Sequence, residues 1–171
     1  MLLRNYRWEP SAILPERRAE RYSQRPTLLL VTGSRDSDRK TLARELEARL
    51  FAEGRVVYFL GIGNVLYGVD ADIDRGQENR REHIRRLAEV ANIMLDAGVI
   101  LIVTAMELRQ EDLDLVRATV QSDLIETIWV GERVTTDVEC DLHVLGAESI
   151  DDAVQRTKNL LLEKGAIFRP W

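Results

Sequence analysis

Two short runs, TLLLVT at Thr27–Thr32 and VILIVT at Val99–Thr104, are apolar almost without interruption. A strand with one wet face alternates apolar and polar residues. A run lacking that alternation is buried on both faces, as in a parallel sheet covered by helices on each side. Arg55–Leu60 (RVVYFL), Leu124–Val130 (LIETIWV) and the short Asp141–Leu145 (DLHVL) supply further strands. Between them, apolar residues recur every three or four positions, the period of a helix with one buried face. Leu42, Ala43, Leu46 and Leu50 mark one helix, closed by Gly54. Ile84, Leu87, Val90, Ala91, Met94 and Leu95 mark a longer one ending near Gly98. Leu108, Leu113, Leu115 and Val116 mark a third, and Ser149–Lys164 forms a C-terminal helix. This alternation predicts a three-layer α/β/α fold with a mostly parallel central sheet. Pro10, Pro15 and the charged stretch Glu16–Arg21 predict an N-terminal arm over 1–26, extended and then helical, lying outside the core. Residues 27–171 then form a single domain, since a chain of 171 residues is long enough for one well-buried core and short for two.

Charge and composition exclude several partners. With 29 acidic and 24 basic residues the net charge is −5, which argues against nucleic acid and anionic lipid as partners. No apolar run approaches the roughly 20 residues that span a bilayer, and Met1–Asn5 lead to Trp8 and not into a signal-peptide core, so a cytoplasmic location is expected. The single cysteine, Cys140, has no internal disulfide partner and reads as an inert thiol; His143 has no second histidine or cysteine beside it, so no metal site is expected.

In open α/β sheets ligands sit at the carboxyl ends of the strands, which directs attention to the loop after the first strand, Gly33-Ser34-Arg35-Asp36-Ser37-Asp38-Arg39-Lys40-Thr41. A phosphate-binding loop reads GxxxxGK[ST]: glycines let amide hydrogens wrap the phosphates, lysine neutralises them, and the hydroxyl holds magnesium. Here Asp38 stands at the second glycine. A gapless register puts Arg39 at the lysine and Lys40 at the hydroxyl; with one extra loop residue, Lys40 and Thr41 form the pair. Asp36 and Asp38 lie where phosphate charge would gather, and a charged loop capping a helix explains the segment equally well without any ligand.

The residues in order carry a resemblance. Asn5-Tyr6-Arg7-Trp8-Glu9-Pro10-Ser11, the TGSRDSDRKTLA segment at Thr32–Ala43, Arg80–Arg86 with the following Ala88–Ala91 and Asp96-Ala97-Gly98, and Val103-Thr104-Ala105 together resemble the adenylyl-sulfate kinase family. That family transfers the γ-phosphate of ATP to the 3′-hydroxyl of adenosine 5′-phosphosulfate. The resemblance implies a P-loop kinase fold, a homodimer formed through the arm and helices, and a contact with another protein of sulfate activation. It places Gly33, Ser37, Arg39, Lys40 and Thr41 on the nucleotide phosphates, and Asn64, Arg80 and His83 on the acceptor side.

The chain departs from the family where the chemistry lies. The family's DGDNVR after strand two is Gly61-Ile62-Gly63-Asn64-Val65-Leu66, so both acids are glycine and the sulfonucleotide-binding arginine is Leu66. The asparagine of the family's ENIRR is His83, and only Gly131–Cys140 stands where the family inserts a lid of several dozen residues. The sequence therefore predicts no catalytic residue, binding of ATP and magnesium that is weakened or lost, and a nucleotide-sensing, regulatory or assembly role. Two other readings stay open: an active phosphotransferase using Arg39 or Lys40 with Thr41, and an interaction domain without a ligand. His83 reads as a lone, partly exposed histidine. The Arg80, Arg81, Arg85 and Arg86 cluster reads as either an anion site or a solvated face paired with Glu78 and Glu82. Glu107, Glu111, Asp112 and Asp114 read as a solvated helix face, and Phe168-Arg169-Pro170-Trp171 as an aromatic tail packed on a neighbouring helix or subunit.

Overall fold

The computed structural model describes residues 5–169. Five parallel strands form one sheet: β1 (Thr27–Gly33), β2 (Val57–Leu60), β3 (Ile100–Met106), β4 (Ile125–Val130) and β5 (Leu142–Val144), in the order β2-β3-β1-β4-β5. Among the described residues six α-helices accompany them: α1 (Pro15–Tyr22), α2 (Arg39–Ala52), α3 (Ile62–Tyr67), α4 (Arg80–Asp96), α5 (Gln110–Arg117) and α6 (Ile150–Glu163).

β1 explains the two-sided burial. Leu29 and Val31 point to one face, where they pack with Leu42, Leu46 and Leu50 of α2 and Val154 and Leu161 of α6. Leu28 and Leu30 point to the other, against Leu87, Ala91 and Leu95 of α4 and Leu113 and Val116 of α5. The central position of β1 and β3 is thus the direct consequence of their unbroken apolar runs. Gly54 and Gly98 take φ of +84° and +87° just past α2 and α4, the left-handed geometry that ends helices.

Several expectations need correction. α3 was not anticipated: six residues offer too short a window for periodicity to show, and only Val65 is buried. The arm is not wholly outside the core, because Gln24 is completely buried. Its Nε2 donates to the carbonyls of Val56 (2.8 Å) and Gly98 (3.0 Å), and its Oε1 accepts from Val56 N (3.1 Å). A lone glutamine in a polar stretch gives no periodic signal, yet its amide satisfies three backbone groups at the amino edge of the sheet. Asp112 also leaves the solvated face assigned to it. It is 3% exposed, accepts from Arg109 N at 2.9 Å to cap α5, and pairs with Arg80. Glu111 and Asp114 lie on the exposed face of α5 as expected, whereas Glu107, also exposed, follows β3 and precedes the helix.

Ile167 bridges Gln24 and Phe168 N donates to Ser23 O at 3.1 Å, but the Phe168 ring is exposed, so the tail begins with a backbone tie and not with the expected aromatic packing. Pro170 and Trp171, with Met1–Arg4, lie outside the described residues.

Candidate functional site

β1, β2 and β3 end at the same edge, and the segments leaving them frame a cleft of about 370 Å³. Arg39 and Lys40, the first residues of α2, line one side. Ile62 and Leu66 of α3 line a second, Arg80, His83, Ile84 and Leu87 of α4 a third, and Thr104–Met106 at the end of β3 form the floor.

The loop feeding α2 is tightly constrained. A Cβ on Gly33 would lie 2.2 Å from Val130 O and 2.6 Å from Ser37 Oγ, so only glycine fits the end of β1. The Arg39 guanidinium folds back onto the loop, donating through Nη1 to Ser34 O and to Ser37 Oγ (2.9 Å). Desolvation lowers the Arg39 pKa, partly offset by the nearby Glu107 carboxylate. Glu107 itself adopts φ of +49°, a left-handed conformation that costs a non-glycine residue about 1 kcal/mol. Its N–H donates to Gly33 O at 2.9 Å, locking the ends of β1 and β3 together.

On the opposite wall His83 is not a lone histidine. Its Nδ1 lies 2.7 Å from Oδ2 of Asp70, which is 1% exposed, and its Nε2 lies 3.2 Å from Asp74 O. Arg86 Nη1 approaches the other oxygen of Asp70 at 3.8 Å. His83 and Arg86 thus anchor the loop that returns from α3. Nothing in the sequence around Asp70 marks it as buried, because its partners come from the next helix. Arg80 is likewise committed: it pairs with Asp112 (2.8 Å) and donates to Met106 O (3.1 Å). Arg85 and Arg86 both bond Glu82, which holds the Glu82 carboxyl down at about 2. The arginine cluster is therefore largely a network of ion pairs with Glu82, Asp72 and Asp112; Glu78 plays no such part among the described ion pairs.

Of the residues singled out from sequence, Arg39, Lys40, Arg80 and His83 come together around the cleft, and Gly33 and Ser37 shape the loop beneath it. Thr41 and Asn64 are exposed and outside the lining, because Leu42 and Val65 occupy the buried faces of α2 and α3. Arg75 lines the cleft and was missed, since it lies in a loop without periodicity.

Residues 131–140, between β4 and β5, fold down onto the start of α5. Trp129 Nε1 donates to Arg133 O (2.9 Å), Thr136 Oγ1 to Leu108 O (2.5 Å), and Gln110 N to Asp137 Oδ1 (2.9 Å), while Val138 is buried.

The adenylylsulphate kinase family profile matches residues 25–151, spanning β1 through β5 and every wall of the cleft. The chain belongs to the adenylylsulphate kinase family. It is 31% identical over 155 residues to the adenylyl-sulfate kinase of Clostridium kluyveri, covering 91% of this chain and 73% of that protein. It is 39% identical over 120 residues to that of Shewanella amazonensis, covering 70% and 61%. The chain thus spans between three-fifths and three-quarters of these two relatives. Among solved structures, a mutant of the Mycobacterium tuberculosis APS kinase CysC superposes with a TM-score of 0.70 at 25% identity, covering 81% of this chain and 98% of that one. A hexameric APS kinase from Thiobacillus denitrificans shares the fold, with a TM-score of 0.70 at 23% identity over 87% of this chain and 31% of that one.

Gly61 and Gly63, where the sequence resemblance leads one to expect the family's acids, lie at and just after the N-cap of α3. A Cβ at either would meet nothing within 4 Å, and neither has positive φ. Their lack of side chains is therefore not demanded by the backbone. The helices of the described residues include none long and apolar enough to cross a membrane.

Proposed function

We propose that this chain is an adenylyl-sulfate-kinase-type domain of sulfate activation in which proficient phosphoryl transfer has been given up, leaving a nucleotide-sensing, regulatory or assembly module in the cytoplasm. The observation that carries the reading is at Gly61 and Gly63. The path of the chain leaves room for the acidic side chains, and no steric or dihedral requirement replaces them. Phosphoryl transfer relies on positioning and on charge stabilisation around the transferred group, so absent acids, a loop with Asp38 at its second glycine and a pinned 131–140 segment each remove part of the rate. Gly33 and Ser37 shape the loop, Arg39 and Lys40 face the nucleotide phosphates, and Arg80 and His83 hold the acceptor wall in place. Residues 1–26 act as an arm whose end is built into the domain of residues 27–171. Exposed Tyr6, Trp8, Ile13 and Leu14 suit self-association of that arm into a homodimer, or its contact with another protein of sulfate activation.

The test is formation of 3′-phosphoadenosine 5′-phosphosulfate from ATP and adenosine 5′-phosphosulfate. The expected turnover is at least about a thousandfold below the roughly 1–100 s⁻¹ of ordinary kinases, and a rate within that range would refute the reading. A second reading, an active phosphotransferase with a different acceptor, is favoured by the approach of both Arg39 and Lys40 to the cleft. It requires ATP turnover that collapses in the Arg39→Ala/Lys40→Ala double variant.

A further inference from the structure

Membership of a P-loop kinase family implies magnesium, a hard cation that takes oxygen ligands, usually the loop hydroxyl and one or two carboxylates. The residues present do not fit it. In the gapless register the hydroxyl position is Lys40, whose side chain lines the cleft, while the neighbouring hydroxyl of Thr41 does not. The two acidic positions after β2 are Gly61 and Gly63. Among the described residues, no carboxylate lines the cleft, whereas Arg39, Lys40, Arg75 and Arg80 do. Nor do three histidine, cysteine, aspartate or glutamate side chains gather anywhere among those residues to hold a metal ion. Two carboxylates lie behind the lining and are already engaged, Asp112 with Arg80 (2.8 Å) and Asp70 with His83 (2.7 Å), while Glu107 lines a separate cavity with Trp129 and Thr136.

We propose that this cleft binds a phosphate or sulfate ester of nucleoside size without a metal ion, with the Lys40 ammonium doing the electrostatic work that magnesium does in a conventional P-loop. The proposal rests on the reading of the cleft as the family's nucleotide site and goes beyond it in the ion requirement. Its basis is a paired change: the groups that would hold a divalent cation are missing, and a positive charge enters at the same place. A metal ion added to a cleft lined by Arg39, Lys40 and Arg75, with Arg80 offset by Asp112, meets repulsion and finds no carboxylate among the lining residues to coordinate it. Arg80 is committed to Asp112, so Lys40 and Arg75 join Arg39, itself braced against its own loop, in facing the ligand's anionic end. Ile62, Leu66, Ile84 and Met106 offer an apolar wall for a ring. The volume, about 370 Å³, falls within the range of small-molecule sites.

Isothermal titration calorimetry of the full chain with adenosine 5′-phosphosulfate and with AMP, each in EDTA and in magnesium, tests this. Neither ligand needs magnesium for its own charge balance as ATP does. The expected result is an affinity in EDTA equal to or tighter than that in magnesium, weakened about tenfold or more by Lys40→Met. Lys40 is exposed, so its substitution leaves the melting temperature nearly unchanged and the variant reports binding alone. Binding that appears only with magnesium, or that is indifferent to Lys40→Met, overturns the metal-free inference while leaving the nucleotide site intact. Absence of binding under both conditions overturns the inference together with the nucleotide-site reading.

Discussion

Glu126 is the second residue of β4 and is only 3% exposed, yet it is a carboxyl on a central strand. Burial pushes its pKa up from 4.5 to about 7, helped by the neighbouring Asp141, while Lys164 and Arg25 pull the other way. The folded chain therefore keeps a proton that the unfolded chain releases near pH 4.5. The corresponding stability is complete below that pH and is lost as pH rises through about 7, a change of up to about 3 kcal/mol. Urea unfolding between pH 5 and pH 8 should show this fall, and Glu126→Gln, which cannot ionise, should flatten it and unfold later than the parent at pH 8. The glycines make a second contrast at this scale. Gly33→Ala drives a Cβ into Val130 O at 2.2 Å and should cost about 2–4 kcal/mol, whereas Gly61→Asp enters open space at the N-cap of α3 and should be neutral or stabilising by about 0.5 kcal/mol. Denaturant midpoints of the two variants separate a glycine required by packing from one that packing does not require.

At the scale of elements, one buried side chain does most to join the arm to the sheet. α1 has no fully buried residue and rests on the turn before β3 through Arg18 and Tyr22, which crowd Gly98, so the short segment that joins it to β1 carries much of its attachment. Gln24 ties that segment to the residues preceding β2 and β3, and Arg55 adds a bond to Ser23 O at 2.7 Å. Gln24→Ala leaves the Val56 amide and the Val56 and Gly98 carbonyls without that partner and opens a cavity, for an expected loss of about 2–4 kcal/mol in thermal or chemical unfolding. Glu16→Ala, on the exposed face of α1, should change stability by less than about 0.5 kcal/mol. The walls of the cleft obey the same logic. α4 is held to α5 by Arg80 with Asp112 and to the loop after α3 by His83 and Arg86 with Asp70, so polar groups that sequence assigns to a solvent face become the fasteners between elements.

For the whole molecule, local chemistry was enough to specify the layers. The apolar runs of β1 and β3 require burial on two faces, and the three-to-four-residue spacing of Leu42, Leu46 and Leu50 and of Leu87, Ala91 and Leu95 specifies which helix faces cover them. The phosphate-loop position was legible for the same reason, since Gly33 ends a strand and Arg39 begins a helix in adjacent sequence. The residues around that loop were legible only in part. Arg39, Lys40, Arg80 and His83 reach the cleft, but Thr41 and Asn64 turn away because their neighbours Leu42 and Val65 have the larger burial free energy to gain. Asp70 and Gln24 carried no signal, for their partners lie 13 to 74 residues away, Arg75 because its place depends on the path of a loop, and Asp112 because the Arg80 that buries it lies 32 residues away. The sequence alone thus determined the alternation of strands and helices and the glycine-to-helix step after β1, because both are properties of neighbours along the chain. Only the tertiary structure decided which charges are spent on one another and which face the cleft, because a buried carboxylate selects its cation by proximity in space.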